Sequence, residues 1–288
     1  MLLLGFPESA ALAAAIAAQR PCPHAQIEVH RFPDGESRVR LPAELPEQVV
    51  LCRSLNQAND KLVELMLAAR CARDLGARHI TLIAPYLCYM RQDKAFHPGE
   101  AVSQRIVGEF LASFVDTLVT ADPHLHRVAT LEEAVPVAAA HTISATARMG
   151  AFLMSRGSQP LLLGPDRESA QWVSVVAEIA GLDFAVADKA RRGDRDVAIT
   201  LPPDDYSGRD VVVVDDVASS GRTLIEAAGL LFDAGAARVD VLVTHALFAE
   251  GALQGLRDVG VEQIWSSDSI PHSTNAFSLA EDFAAVLS

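Results

Sequence analysis

Short apolar runs alternate with longer amphipathic or Ala-rich stretches along the whole chain. Residues 2–4 (Leu-Leu-Leu) predict a strand, and 9–19 an Ala-rich helix capped by Ser9. Residues 27–29 and 37–41 predict two strands of a hairpin, whose tip is Arg31-Phe32-Pro33-Asp34-Gly35-Glu36. Strands follow over 49–52, 79–84 and 117–120. Helices are predicted over 59–75, stopped by Gly76, and over 102–112. The pattern then restarts, with strands over 161–163, 211–214 and 239–243 and helices over 169–180 and 224–234. Repeated strand-helix-strand units predict an α/β chain of two similar domains, each a mainly parallel sheet flanked by helices. The restart places the boundary near 140–150, giving domains of 1–145 and 146–288.

In such sheets ligands bind beyond the carboxyl ends of the strands. The run Val211-Val212-Val213-Val214 reads as a buried strand. Asp215, Asp216, Val217, Ala218, Ser219, Ser220, Gly221, Arg222 and Thr223 follow it, and a helix begins near 221–224. The first N–H groups of a helix have no intrahelical partner, and small residues let a phosphate approach them. Ser219, Ser220, Gly221 and Thr223 suit that role. Asp215 and Asp216 repel a phosphate and suit sugar hydroxyls, or magnesium through water. One segment would then hold both ends of a sugar phosphate. A plain capped helix would need only one such residue.

Charge narrows the partners. The formal net charge of −13 argues against non-specific nucleic-acid binding, which needs a basic footprint. It does not exclude small anions held by a few arginines and backbone amides. No apolar run approaches the ~18 residues of a membrane span, and no basic segment precedes residues 2–4, so neither membrane nor secretion is expected. Cys22, Cys52, Cys71 and Cys88 lack metal-ligand spacing and fit reduced thiols in the cytoplasm.

The Asp-Asp-x-x-Ser-Ser-Gly-x-Thr segment resembles the ribose-phosphate loop of the type I phosphoribosyltransferase fold. Further segments resemble the ribose-phosphate pyrophosphokinase family (phosphoribosyl diphosphate synthetases) in order along the chain. They are Phe32-Pro33-Asp34-Gly35-Glu36, the run from Pro85-Tyr86 through Tyr89-Met90-Arg91-Gln92-Asp93-Lys94, Asp122-Pro123-His124, Pro165-Asp166, Lys189-Ala190-Arg191 and Asp268-Ser269-Ile270-Pro271. The resemblance implies diphosphoryl transfer from ATP to the anomeric hydroxyl of ribose 5-phosphate. It implies ATP contacts by Phe32, Asp34, Glu36, Arg91, Gln92 and Asp93, and Mg²⁺ ligation by His124 and Asp166. It further implies ribose 5-phosphate contacts by Asp215, Asp216, Ser219, Ser220, Gly221 and Thr223. Lys189 and Arg191 would be the catalytic cations of a mobile loop. A homo-oligomer is implied as well, because the family's hairpin reaches a neighbouring subunit's ATP site.

The chemistry fits these residue types. Phosphoryl transfer needs charge neutralisation more than covalent catalysis, and arginine forks to phosphate as lysine cannot. One departure stands out: Glu168 occupies the place of a family glycine after Asp166. It keeps a related sugar phosphate open as the acceptor. A non-catalytic regulatory subunit is the other alternative, and retention of Lys189, Arg191 and the ribose segment weighs against it.

Overall fold

The computed structural model describes residues 1–125, 127–191 and 197–287, without the side chains of 189–191 and 197–198. The chain divides into two compact units. The first comprises Met1–Ile143, Ser269–Pro271 and Leu279–Ser288; the second comprises Ser144–Asp268 and His272–Ser278.

In the first unit the order is β1 (Leu2–Gly5), α1 (Ala10–Gln19), β2 (His24–Gln26), β3 (Glu28–Arg31), β4 (Ser37–Arg40), β5 (Gln48–Cys52) and α2 (Ala58–Asp74). Then come β6 (His79–Ala84), α3 (Ser103–Ala112), β7 (Thr117–Ala121), α4 (Leu131–Ala134) and β8 (Ala139–Ile143). β2-β1-β5-β6-β7-β8 pair in parallel, in that order, and β3-β4 form a separate antiparallel hairpin. Leu4, Leu51, Leu65, Ile80, Leu82 and Leu118 fill the core. Leu75 is followed by Gly76 in the left-handed region, whose N–H donates to the Arg73 carbonyl, so the expected helix stop holds. Ser9 differs from expectation. It stands before α1 without capping it; its hydroxyl instead accepts the Ser54 N–H at 3.0 Å and ties the end of β5 to the first helix.

The second unit runs α5 (Thr146–Arg156), β9 (Leu161–Gly164), α6 (Ala170–Ala180), β10 (Phe184–Val186), β11 (Asp188–Arg191), β12 (Val197–Thr200), β13 (Asp210–Ala218) and α7 (Arg222–Asp233). It continues with β14 (Arg238–Ala246), α8 (Ala252–Asp258), β15 (Ile264–Ser267) and β16 (Asn275–Phe277). Its parallel sheet has the order β10-β9-β13-β14-β15-β16, with β11-β12 as a separate antiparallel hairpin. Each unit therefore has the same plan: an edge strand, a hairpin set off from the sheet, then a central strand and its helix.

The last helix, α9 (Ala280–Ala285), packs on α1 and belongs to the first unit. The sequence division gave everything after 145 to the second domain. α9 buries Ala280, Phe283 and Ala284, and the alanines of α1 offer a surface flat enough for close helix contact.

Candidate active site

The central strand of the second unit is longer than its valines. β13 stays paired with β14 through Ala218, with Asp215 opposite Val243 and Val217 opposite His245. The predicted loop at 215–218 is therefore strand, because the equally long β14 supplies a ladder partner that a short apolar run does not reveal. Burial alternates along it: Asp215 and Val217 are half-buried, Asp216 and Ala218 buried. Alternate residues of a strand face opposite sides, so the two aspartates serve different faces. Thr244 and His245, just past the 239–243 predicted as strand, lie within β14 and are buried.

The loop proper is Ser219 to Gly221. The Ser219 carbonyl accepts the Ala249 N–H at 2.9 Å, and the Ala218 carbonyl accepts that of Phe248 at 2.8 Å. Gly221 has φ +74°, and a Cβ there would lie 3.2 Å from that of Ala252, so only glycine makes this turn without strain. α7 then starts at Arg222 with no side-chain cap on its N-terminus, and Thr223 falls in its first turn. Burial, then Asp216, then Asp166 push the Asp215 carboxyl well above the ordinary carboxylate range. Hydroxyl donors or a cation at this point would relieve that repulsion.

At the end of β9, Gly164 admits the start of α6. A Cβ on it would come 2.5 Å from the Ser169 hydroxyl oxygen. Asp166 Oδ1 accepts the N–H of Glu168 at 3.0 Å and that of Ser169 at 3.2 Å. This carboxylate thus closes the turn that leads into α6, and it also contributes to the charge around Asp215. Glu168 fits the turn without a glycine. The neighbouring Arg167 reaches Asp188 at 2.6 Å and lowers that acid's pKa, fixing the foot of the second hairpin. Lys189 and Arg191 lie on β11, their backbone paired with Ile199 and Val197. The expectation of a loop is corrected here to a strand. The side chains of both, and residues 192–196, lie outside the described residues, as does His126.

In the first unit, the tip of the β3-β4 hairpin is closed by the Phe32 N–H to the Glu36 carbonyl at 2.8 Å. A second closure runs from the Glu36 N–H to Asp34 Oδ1 at 3.1 Å. Phe32 is 41% exposed and stacks edge-on against His30, with 4.8 Å between ring centroids. Asp34 and Glu36 are exposed. After β6, Tyr89 adopts φ +62°, a strained value for a bulky residue, and its hydroxyl donates to Asn59 Oδ1 at 2.5 Å. Gln104, at the start of α3, donates its side-chain N–H to the Met90 carbonyl and its backbone N–H to the Gln92 carbonyl. This grip leaves Arg91 exposed and Gln92 half-buried. Asp93 is not a free acceptor for ATP: its carboxylate is 3% exposed, and both oxygens lie 2.9 Å from Arg127 Nη1. After β7, Asp122 is buried with φ +33°, and His124 is half-buried beyond it. Burial pushes the Cys88 thiol up to about 12, so it stays protonated and is no nucleophile.

Among the described residues, no three His, Cys, Asp or Glu side chains converge as a metal-ligating group. His124 belongs to the first unit and Asp166 to the second. Magnesium keeps several waters and takes few protein ligands beside substrate phosphates, which suits a sparse donor set.

Two family models fit this chain: the N-terminal domain of ribose phosphate pyrophosphokinase over residues 1–114, and the phosphoribosyl transferase domain over 140–280. A ribose-phosphate pyrophosphokinase of Methanopyrus kandleri is 35% identical, over 99% of this chain and 97% of its own. The chain belongs to the ribose-phosphate pyrophosphokinase family. A relative of the same description from Methanothermobacter thermautotrophicus is 31% identical, over 99% of each chain. The phosphoribosylpyrophosphate synthetase crystal structure from Mycobacterium smegmatis has the same fold, with a TM-score of 0.82 over 99% of this chain and 96% of that one, at 21% identity. Both units have the type I phosphoribosyltransferase plan.

Beside the family segments stand residues that their motifs do not include. Arg127, Asn59, Glu64 and Glu226 hold the segments in place, and each sits far in sequence from the group it contacts. No local pattern announces such a pairing, so a reading by motif passes over them.

Proposed function

We propose that the first unit carries the ATP side of the family's reaction and the second unit the ribose 5-phosphate side. The reaction transfers the diphosphoryl group of ATP to the anomeric hydroxyl of ribose 5-phosphate. The hydroxyl oxygen bonds to the β-phosphorus, its proton is lost, the bond between that phosphorus and the α–β bridging oxygen breaks, and AMP leaves.

The observation that carries this reading is the end of β13. There Asp215, Asp216, the Gly221 turn and the uncapped start of α7 lie within one short segment. The α7 N-terminus, with Ser219, Ser220, Gly221 and Thr223, takes the 5-phosphate. Asp215 and Asp216 accept from the ribose hydroxyls and hold the sugar rather than act as bases. Desolvating these carboxylates costs free energy that sugar hydroxyls recover as hydrogen bonds.

On the ATP side, Phe32 offers an exposed aromatic face to the base, while Asp34 and Glu36 accept from its donors or from the ribose. Arg91 and Gln92 take the phosphate chain, and Asp93 acts through Arg127. Lys189 and Arg191 stabilise charge on the transferring group. Mg²⁺ would supply charge neutralisation to the transferring phosphates; His124 is the ligand proposed for it in the first unit and Asp166 that in the second. An exposed Phe32 at a hairpin tip supports a homo-oligomer in which the tip meets a neighbouring subunit. Four free thiols support a cytoplasmic location. No described helix is long and apolar enough to cross a membrane.

A panel of sugar phosphates, with ATP and Mg²⁺, tests the reading. Release of AMP is expected with ribose 5-phosphate above all others. Preference for another sugar phosphate would move the specificity to the Glu168 turn. Release of ADP in place of AMP would refute diphosphoryl transfer.

A further inference from the structure

Both hairpins lack partners in the main sheets, yet both are tied to their unit by a glutamate. In the first unit, Glu64 on α2 is 1% exposed. It accepts the Ser37 hydroxyl of β4 at 2.7 Å, and Arg31 of β3 stands 3.5 Å from it, so it grips both strands just below the tip. Arg53, 3% exposed, supplies the counter-charge at 2.5 Å; it also bonds Glu8 at 2.8 Å and the Lys61 carbonyl at 3.0 Å. Burial would raise the Glu64 pKa, but the Ser37 hydrogen bond and Arg53 more than offset it, and the acid stays ionised. In the second unit, Glu226 on α7 accepts the Ile199 N–H of β12 at 3.0 Å. α2 and α7 are equivalent elements, each following the central strand that comes after its hairpin in the chain.

We infer that Glu64 and Glu226 are positioning residues: each sets its hairpin relative to its own sheet, Glu64 for the tip carrying Phe32, Asp34 and Glu36, and Glu226 for the strand carrying Lys189 and Arg191. The inference rests on the roles proposed above for those two hairpins. A hairpin without ladder bonds to the main sheet is fixed by its apolar packing, through Val29 and Val39 or through Ile199, and by directional polar contacts such as these; a displacement of about 1 Å at a reacting group costs as much as 100-fold in rate. The two anchors differ in what they govern. Loosening the first hairpin weakens ATP binding; loosening the second leaves both substrates bound and slows the transfer.

The test combines kinetics with amide hydrogen exchange on the intact protein. Ser37→Ala removes one hydrogen bond and leaves the Glu64–Arg53 pair intact. It is expected to raise the KM for ATP by about tenfold, a loss on the scale of one hydrogen bond to a charged group. The KM for ribose 5-phosphate stays, and Ser37→Thr, which keeps the hydroxyl, restores the value. Glu226→Leu is expected to lower kcat by about tenfold or more with both KM values kept, and Glu226→Gln, which keeps an acceptor, restores it. Exchange should quicken at residues 28–40 in the first variant and at 188–200 in the second, with the sheets unchanged. Unchanged hairpin exchange overturns the anchoring. Quickened exchange with unchanged kinetics overturns the proposal too. Phe32→Ala and Lys189→Ala then tell whether the roles of the hairpins have fallen with it, since they remove the proposed acting groups directly.

Discussion

Asp215 and Asp216 are neighbours on one strand whose carboxylates serve opposite faces of the sheet, tied by the Asp216 N–H donating to Asp215 Oδ1 at 3.0 Å. The Asp215 pKa is raised by burial, then by Asp216 and Asp166. An acid with a raised pKa holds its proton more tightly in the folded chain than in the unfolded one. Folding stability therefore falls as pH climbs from the ordinary value of 3.8 through the raised one. Asp215→Asn removes that loss. The ligand-free variant is predicted to melt a few degrees higher than the parent at pH 7 to 8, with the gap closing below the ordinary value, while turnover disappears. Thermal unfolding across pH checks the first part and AMP release the second.

Gly221 is the turn between the ribose segment and α7. Gly221→Ala forces a side chain into the left-handed region, costing about 1–2 kcal/mol, and crowds Ala252. The KM for ribose 5-phosphate is expected to rise well beyond that for ATP. Steady-state kinetics with each substrate varied in turn measures the difference.

Arg127 and Asp93 form an asymmetric pair, with the acid buried and the arginine half-exposed. Removing the arginine strands a buried carboxylate, while removing the acid releases a cation to water. Arg127→Ala is predicted to lose about 1–3 kcal/mol, and Asp93→Asn less. Urea unfolding of the two single variants and the double variant gives the ordering, and the double variant should lose less than the sum.

Lys189 is assigned to charge on the transferring group, an interaction made most strongly in the transition state. Lys189→Ala is expected to lower kcat by about 100- to 1,000-fold with the KM for ribose 5-phosphate nearly kept. AMP formation at saturating substrates reads the loss. Full turnover in this variant would remove Lys189 from the catalytic group.

The parallel sheets were legible because buried parallel strands print as apolar runs, such as 2–4, 82–84 and 211–214. Gly76 announced its helix end in the same way. Elements without that signature were missed: β15 and β16 are short, and α5 carries Gly150 and Ala151 inside a stretch with polar residues at both ends, so its helical period is hard to see. The β11 strand hides because its four residues are Asp-Lys-Ala-Arg, and the apolar contact of this hairpin comes from Ile199 on β12. Site residues were readable where one segment carries several ligand groups, as from Asp215 to Thr223. Supporting groups were not: the Asp93–Arg127 and Ser37–Glu64 contacts span 34 and 27 residues, and long-range pairing leaves no periodicity. Ser9 shows the converse, a capping residue by pattern whose hydroxyl a distant N–H had claimed.

The most direct measurement is phosphorus NMR of the purified protein with ATP, Mg²⁺ and ribose 5-phosphate. Diphosphoryl transfer predicts equal amounts of AMP and a diphosphate bonded to C1 of the sugar, with no ADP. ADP with a sugar bisphosphate, or unchanged substrates, is incompatible with it.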